Sequence, residues 1–248
     1  MRKAATLFFV IFTTLCTVSN VTAEENHSTL IETIQGDVTG DGQTEEVKLY
    51  GIKFSPDSAY FRQIWAEIIG DSKRNWKITY QGGYEPKIQL IDLNHDGIKD
   101  IFYQSATGGS GGLYNYQLNT LAKGVLEEIP LPEQRFLEGS FKENFIVSIQ
   151  ISPDSPPYEM DVSDRAEDYI RLGIYNEEGD LLKPQSVMID PIAFFEPVLI
   201  SKRKGYGLKS YQQISGAYHA DGLGTVESLW YFENGKWILL QTDWIPSN

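Results

Sequence analysis

The sequence predicts a mostly β protein that folds as an antiparallel meander, and three observations support that prediction. Short runs rich in Ile, Val, Tyr and Phe alternate with turn residues about every ten positions. Runs such as residues 46–50 and 114–118 alternate polar and apolar side chains, as expected of a strand with one buried face. Near the C-terminus, Asn234-Gly235 separates two such runs, and this dipeptide favours a two-residue hairpin turn.

The predicted strands are distributed along the whole chain, whereas helical patterns are few. Residues 228–233 and 236–241 form the predicted hairpin, and residues 59–69 and 163–170 are weak helix candidates. The other strand candidates are residues 46–50, 64–69, 76–80, 87–91, 98–104, 114–118, 145–151, 169–175 and 193–200.

Residues 1–23 have the order of features that is typical of a secretory signal peptide. Arg2 and Lys3 precede an uncharged run from residue 4 to 18, and Val21-Thr22-Ala23 provides small residues for cleavage. The run is shorter than the roughly 20 apolar residues of a membrane span. An uncleaved membrane anchor is the alternative, and a lipid on Cys16 is less favoured because Leu15 before it is not small. We therefore expect a secreted or extracytoplasmic protein.

Composition sets further bounds on the exported chain. Residues 24–130 form an N-terminal β region, and residues 131–248 form a C-terminal β region that we expect to pack with it as one unit. Cys16 is the single cysteine of the chain, so the mature protein has no disulfide. The formal net charge of −13 disfavours nucleic acid and anionic lipid as partners. An envelope protein or a glycan is the expected partner, with no membrane contact after cleavage.

Residues 92–100 have oxygen-bearing side chains at loop positions 1, 3, 5 and 9 and glycine at position 6. Calcium binds six to eight oxygen ligands, and a loop that curls around the ion turns alternate side chains inward. Gly97 permits the sharp turn that brings a position-7 carbonyl towards the ion. The candidate ligands are therefore the side chains of Asp92, Asn94, Asp96 and Asp100 and the carbonyl of Ile98.

Residues 37–45 repeat this pattern upstream, and a predicted strand follows each loop. We expect two Ca²⁺ ions in all, with weaker binding here because threonine at position 3 is a neutral ligand. The matching candidate ligands are the side chains of Asp37, Thr39, Asp41 and Glu45 and the carbonyl of Gln43.

The alternative for both loops is an ordinary Asp/Asn/Gly turn, since these residues dominate turns for backbone reasons. Electrostatics favours a cation, because three carboxylates about 4 Å apart repel by several kcal/mol at an effective dielectric near 20. A helix–loop–helix EF-hand is disfavoured, because position 12 of the second loop is Tyr103 and β-like runs flank the loop.

With Ile91 before it and Ile101-Phe102 after it, loop 92–100 resembles the calcium loops of FG-GAP/VCBS-type repeats. The resemblance covers only the segments around residues 35–50 and 88–118. It implies calcium held between strands of a β-meander, usually for structure, and an incomplete or degenerate β-propeller, since two loops are fewer than the four to eight blades of a propeller. The chain also resembles exported proteins of Gram-positive spore formers, which implies a cell envelope or spore coat location.

These observations predict a non-catalytic, calcium-stabilised protein that acts in structure or binding. One alternative is a carbohydrate or cell-wall binding module that uses some of the five tryptophans. Another is a hydrolase that uses Ser110 of a G-x-S-x-G sequence, or the acidic cluster of Asp161, Asp164, Glu167 and Asp168. A β-like run follows Ser110 where a nucleophile elbow requires a helix, so the hydrolase is the least favoured.

Overall fold

A computed structural model describes residues 27–70, 74–109, 111–134 and 136–247. The predicted signal peptide at 1–23, including Cys16, and the candidate nucleophile Ser110 lie outside the described residues. Within them the chain is mostly β, its sheets are antiparallel, and its one α-helix is short. The prediction of an antiparallel β-rich meander is thus confirmed.

The N-terminal sheet contains eight antiparallel strands and carries both candidate loops. Its strand order is β1-β2-β3-β5-β6-β7-β8, and β4 pairs with β3 beside this path. One face packs a core that includes Val47, Ile64 and Tyr103. The strands are β1 (Thr29–Gly36), β2 (Glu45–Lys53), β3 (Tyr60–Ile69), β4 (Asn75–Tyr80), β5 (Gly83–Ile91), β6 (Asp100–Ala106), β7 (Tyr114–Thr120) and β8 (Glu127–Ile129).

A middle sheet of three strands follows, in the order β11-β10-β9. After it comes α1 (Ala166–Arg171), which begins directly after a 3-10 turn at Ser163–Arg165. Tyr169 of α1 is fully buried in a second core together with Phe141 and Val147 of the middle sheet. The strands are β9 (Glu138–Lys142), β10 (Ile146–Gln150) and β11 (Tyr158–Asp161).

The C-terminal sheet has five strands in the order β12-β14-β15-β16, with β13 paired to β14. Asn234 and Gly235 join its last two strands with φ angles of 54° and 76°, so the predicted hairpin with two positive φ angles is confirmed. The strands are β12 (Met188–Ile189), β13 (Phe194–Ser201), β14 (Gly205–Ser215), β15 (Gly222–Glu233) and β16 (Lys236–Pro246).

A third core joins the N-terminal sheet to the C-terminal sheet. It includes Leu93 and Phe102 from the first and Leu208 and Trp230 from the second. The backbone N–H of Phe195 also donates to the Tyr116 hydroxyl across the same junction, at 2.9 Å. The two sheets therefore share a continuous apolar contact rather than a linker.

Two local predictions are wrong and one is confirmed. Residues 59–69 form strand β3 instead of a helix, because buried Ile64, Ala66 and Ile68 alternate with less buried neighbours at the period of a strand. The segment predicted as a strand at 169–175 enters α1, where burial of Tyr169 outweighs β propensity. The helix predicted at 163–170 is present. No helix of the described residues is both long and apolar enough to cross a membrane.

Candidate metal centre

The two acidic loops connect neighbouring antiparallel strands at the same register. Loop 37–45 joins β1 to β2 and is closed by the pair Gly36–Glu45. Loop 92–100 joins β5 to β6 and is closed by the pair Ile91–Asp100. Position 9 is therefore the first residue of the following strand in both loops, so its side chain is held by the sheet.

The position-1 carboxylate organises each loop through backbone hydrogen bonds. Asp92 accepts the N–H groups of His95 (2.8 Å) and Gly97 (3.2 Å). Asp37 accepts those of Gly40 (2.6 Å) and Gly42 (3.0 Å). Aspartate suits this position because its short side chain reaches backbone amides a few residues ahead.

Positions 4 and 6 take positive φ angles in both loops. The glycines at position 6, Gly42 and Gly97, have φ of 83° and 87°. At position 4, Gly40 has φ of 76° and His95 has φ of 63°. The left-handed region is unstrained for glycine but costs other residues about 1 kcal/mol or more. The same backbone trace thus follows from two different sequences.

The remaining candidate ligands also contact backbone or neighbouring polar groups. Asn94 Oδ1 accepts the N–H of Asp96 (2.9 Å), and Asp96 Oδ1 accepts that of Ile98 (2.8 Å). In the other loop, Asp41 accepts the N–H of Gln43 (2.8 Å). A carboxylate oxygen that accepts one hydrogen bond still has a lone pair for a cation, so these bonds pre-orient the ligands without excluding an ion.

Position 9 distinguishes the two loops. Glu45 is fully engaged, because it accepts the N–H of Val38 (2.9 Å) and the hydroxyl of Thr39 (3.3 Å) on different oxygens. Asp100 accepts the N–H groups of Leu93 (2.9 Å) and Asn94 (3.0 Å) on Oδ2 alone. Its Oδ1 has no hydrogen-bond partner, although the residue is 0% exposed. A buried carboxylate oxygen without a partner is costly, and a cation or a proton would relieve that cost.

Burial raises the pKa of Asp100 to about 7. The N–H groups of Leu93 and Asn94 oppose that rise, whereas the nearby charges of Asp96 and Asp92 add to it. The carboxyls of positions 1, 5 and 9 are thus close enough to repel one another. The site favours bound positive charge in the form of either a proton or a metal ion.

The loops also have different surroundings. Beside loop 37–45 lies a cavity of about 270 Å³ that Asp41 and Glu45 share with Arg74 and Lys123. Loop 92–100 forms no ion pair with a Lys or Arg in the described part of the chain. Loop 37–45 also forms no such ion pair, so Arg74 and Lys123 line the cavity beside it without pairing with its carboxylates in the described part of the chain.

The structure brings the predicted ligands to two loops but does not close either set around a point. Across residues 27–247, apart from the gaps named above, no group of three or more Asp, Glu, His or Cys side chains is gathered closely enough to hold a metal ion as it stands. Ion binding in loop 92–100 would therefore require the side chains of Asp92 and Asp96 to rotate, whereas Asp100 is the first residue of β6.

The other candidate sites are dispersed or engaged. In the acidic cluster, the pKa of Asp161 is lowered by hydrogen bonds from Ser163, and the pKa of Asp168 is lowered by Arg171. Neither behaves as the protonated acid of a glycosidase pair. None of the five tryptophans is exposed: Trp65, Trp76, Trp237 and Trp244 are partly buried, and Trp230 is in the third core.

Sequence reasoning missed His95, the position-4 residue of loop 92–100. Its ring stacks on Tyr231 of β15 with centroids 4.4 Å apart. Histidine at position 4 could have drawn attention to this residue, because loop 37–45 has glycine at the same position and both residues take positive φ. The identity of its partner could not be predicted, because residues 95 and 231 meet only in the folded chain.

Comparison with known proteins gives a matching family and a relative that aligns over most of its length. The family described as YybI C-terminal domain matches residues 135–245. The uncharacterized protein YybI of Bacillus subtilis (strain 168) is 31% identical over 207 residues, which cover 81% of this chain and 78% of that protein. The expected resemblance to FG-GAP/VCBS-type repeats is wrong, because the matching family is a different one and no such repeat family was found.

Two solved structures show a distant similarity. The Bacillus licheniformis rhamnogalacturonan lyase PL11 and the rhamnogalacturonan lyase YesW each align over 88% of this chain at 14% identity. The TM-scores are 0.35 and 0.37, and the alignment spans 34% of each lyase chain.

Proposed function

The chain belongs to the YybI family, and from that premise we propose that it is an exported, non-catalytic protein that binds Ca²⁺ and acts in structure or binding at the cell envelope or spore surface. Export is supported by the signal-peptide pattern of residues 1–23. The metal is supported by the geometry of the two hairpin loops.

The buried, unpartnered Oδ1 of Asp100 is the observation that carries the calcium proposal. Asp100 is the first residue of β6, and its Oδ1 is buried. Burial raises the pKa of the Asp100 carboxyl, and the nearby carboxylates of Asp96 and Asp92 add to that rise. A divalent cation would offset two of the three negative charges and supply the partner that Oδ1 lacks.

The donor set favours calcium over other divalent ions. Side-chain oxygens and one carbonyl are hard ligands of the kind that calcium prefers, and a bidentate carboxylate or water can complete its six to eight positions. Magnesium requires near-ideal octahedral geometry at shorter distances and retains several waters. Zinc would need Cys or His ligands, and His95 stacks on Tyr231 instead.

The two sites have different expected strengths. Loop 92–100 is the principal site, because one buried oxygen of Asp100 has no hydrogen-bond partner, whereas both oxygens of Glu45 accept hydrogen bonds. Loop 37–45 is the weaker site, because Thr39 donates its hydroxyl proton to Glu45 and so occupies an oxygen of the position-9 ligand. A second ion there would have to displace that hydrogen bond.

Thermal unfolding of the purified protein tests this proposal. Calcium sites of extracellular modules have Kd values of about 10⁻⁴–10⁻³ M, so millimolar Ca²⁺ adds roughly 1 kcal/mol per site. For a chain of this size we expect Tm to rise by about 2–4 °C per site relative to protein in chelator.

Asp100→Asn and Glu45→Gln form a matched pair of variants for this experiment. Asp100→Asn should remove most of the calcium response, whereas Glu45→Gln should retain the larger share of it. A wild-type Tm that is the same in chelator and in millimolar Ca²⁺ would refute calcium binding. An equal loss in both variants would refute the ranking of the two sites.

A further inference from the structure

We propose that the effect of ion binding in loop 92–100 reaches the C-terminal sheet through His95. Occupancy of this loop would then set how firmly the N-terminal and C-terminal sheets are joined. The inference rests on the proposed calcium binding and adds a consequence to it. Loop 37–45 lacks the residue that would transmit such a signal.

The first step links the ligand to the histidine backbone. Asp92, the position-1 candidate ligand, accepts the N–H of His95 at 2.8 Å. His95 also has φ of 63°, a conformation that a non-glycine residue keeps only where its surroundings hold it. Any movement of the Asp92 carboxylate towards an ion therefore acts directly on the backbone that sets the direction of the imidazole.

The second step links the imidazole to two strands of the C-terminal sheet. The His95 ring stacks on Tyr231 of β15 at 4.4 Å with an interplanar angle of 27°. The Lys204 ammonium lies 4.5 Å from the centroid of the same tyrosine ring, and the Tyr231 hydroxyl donates to the Lys204 carbonyl at 3.2 Å. His95, Tyr231 and the β13–β14 turn thus form one packed stack.

The close approach of Gly205 completes this contact. A Cβ on Gly205 would lie 3.3 Å from His95 Nδ1, a tighter contact than most side chains make, and Gly205 has φ of 79°. The β13–β14 turn therefore lies directly against the imidazole. A rotation of the histidine would require the turn to adjust.

The third step is the buried side chain at position 2 of the loop. Leu93, at position 2, is 0% exposed and belongs to the core that also contains Trp230, the neighbour of Tyr231. Loop 92–100 thus contacts the C-terminal sheet through both a core side chain and a surface stack. Its conformation and the junction of the sheets are parts of the same packing.

Loop 37–45 provides an internal comparison. Its position-4 residue is Gly40, which has no ring to stack and lies against Ile98 of the other loop. Its buried anchor, Val38, belongs to the core of the N-terminal sheet alone. An ion in that loop would be expected to stabilise the N-terminal sheet without a direct effect on the C-terminal one.

Hydrogen–deuterium exchange of the full purified protein, with Ca²⁺ alone as the probe and chelator as the reference, tests the transmission. We expect calcium to slow exchange about fivefold in peptides that cover residues 202–206 and 230–233, since the ion stabilises the stack they form. Peptides that cover residues 158–161 of the middle sheet, which lie outside the stack, serve as the internal control and should not change.

His95→Gly is the decisive variant, because glycine already occupies the equivalent position of loop 37–45 and tolerates positive φ. We expect this variant to bind Ca²⁺. Calcium should no longer slow amide exchange in residues 202–206 and 230–233 of this variant. By reciprocity of coupling, its calcium affinity should fall by the factor that the stack contributes, about fivefold.

The possible failures are distinguishable. If wild-type protein gains Tm with calcium but exchange at 202–206 and 230–233 is unchanged, the transmission is wrong and the calcium proposal stands. If His95→Gly keeps the wild-type protection, the route through His95 is wrong. If neither Tm nor exchange responds to calcium, both proposals fall.

Discussion

Loops 37–45 and 92–100 have the same backbone and differ in chemistry. Each joins antiparallel strands at the same register, and in each the position-1 aspartate accepts the N–H groups of positions 4 and 6. They differ at positions 2, 3, 4, 7, 8 and 9, and at positions 3, 4 and 9 Thr39, Gly40 and Glu45 correspond to Asn94, His95 and Asp100. At position 9, both oxygens of Glu45 accept hydrogen bonds within their loop, whereas Asp100 leaves a buried oxygen without a partner.

This difference separates what the residues of a loop determine from what the rest of the chain determines. The turn geometry needs only aspartate, glycine and the strands on either side, so it recurs wherever these residues recur. The charge balance depends on what the rest of the chain places nearby, such as Arg74 and Lys123 beside the first loop and Tyr231 beside the second. Similar spacing is therefore weak proof of similar binding.

The largest expected effect that separates the loops is a pH dependence of the metal-free protein. The pKa of Asp100 rises from 3.8 to about 7 on folding, so between these values the folded state holds a proton that the unfolded state has released. The free energy of unfolding should therefore fall as pH rises from about 4 to about 7, by up to about 4 kcal/mol.

Urea unfolding of chelator-treated protein across this pH range measures that slope. Asp100→Asn should flatten the slope, because asparagine does not titrate, and Glu45→Gln should leave it in place. An equal slope in wild-type protein and Asp100→Asn would show that the buried carboxyl of loop 92–100 is not its source.

The next largest effect concerns the buried anchors at position 2. Leu93→Ala should cost about 3 kcal/mol, because it leaves a cavity in the core between the N-terminal and C-terminal sheets. Val38→Ala removes two carbon atoms instead of three, from the N-terminal core, and should cost about 2 kcal/mol. Leu240→Ala, at an exposed position, is the control and should change stability by less than about 0.5 kcal/mol.

Urea unfolding monitored by tryptophan fluorescence distinguishes these variants. Leu93→Ala should also loosen the C-terminal sheet, so exchange of β15 amides should increase in this variant and not in Val38→Ala. If both variants affect β15 alike, the two loops do not differ in how they anchor the sheets.

Much of the fold could be predicted from local patterns. Alternating burial in β2 and β3, the Asn234-Gly235 turn and the glycine at position 6 of each loop each follow from the residues that form them. Residues 169–175 could not be assigned correctly, because Tyr169 becomes helical to fill a core built by distant strands. Local propensity has no access to such packing.

The residues of the candidate site could be predicted from the sequence, but their hydrogen bonding could not. Spacing alone selected the candidate ligand positions of both loops, including Asp100, and their role as ligands stays a prediction. It could not indicate that one oxygen of Asp100 is unpartnered, because this depends on the three-dimensional positions of Leu93 and Asn94. The contact between His95 and Tyr231 was hidden for the same reason.

The smallest effect tests whether the two loops touch each other. A Cβ built on Gly40 would collide with Ile98 Cδ1, whereas a Cβ on Gly42 would meet nothing within 4 Å. Both glycines have positive φ, at 76° and 83°, so both alanine variants carry the backbone cost of about 1 kcal/mol. Only Gly40→Ala adds a collision with the neighbouring loop, and we expect it to cost about 2 kcal/mol in total.

The difference between the two variants isolates the contact, because the shared backbone term cancels. Gly40→Ala/Ile98→Ala should recover the additional cost of the collision, which a double-mutant cycle on urea unfolding measures. Since the carbonyl of Ile98 is a candidate ligand, Gly40→Ala should also weaken the calcium response of loop 92–100 more than Gly42→Ala does. Equal stability and equal calcium response in the two single variants would mean that the loops act independently and that their resemblance is confined to backbone geometry.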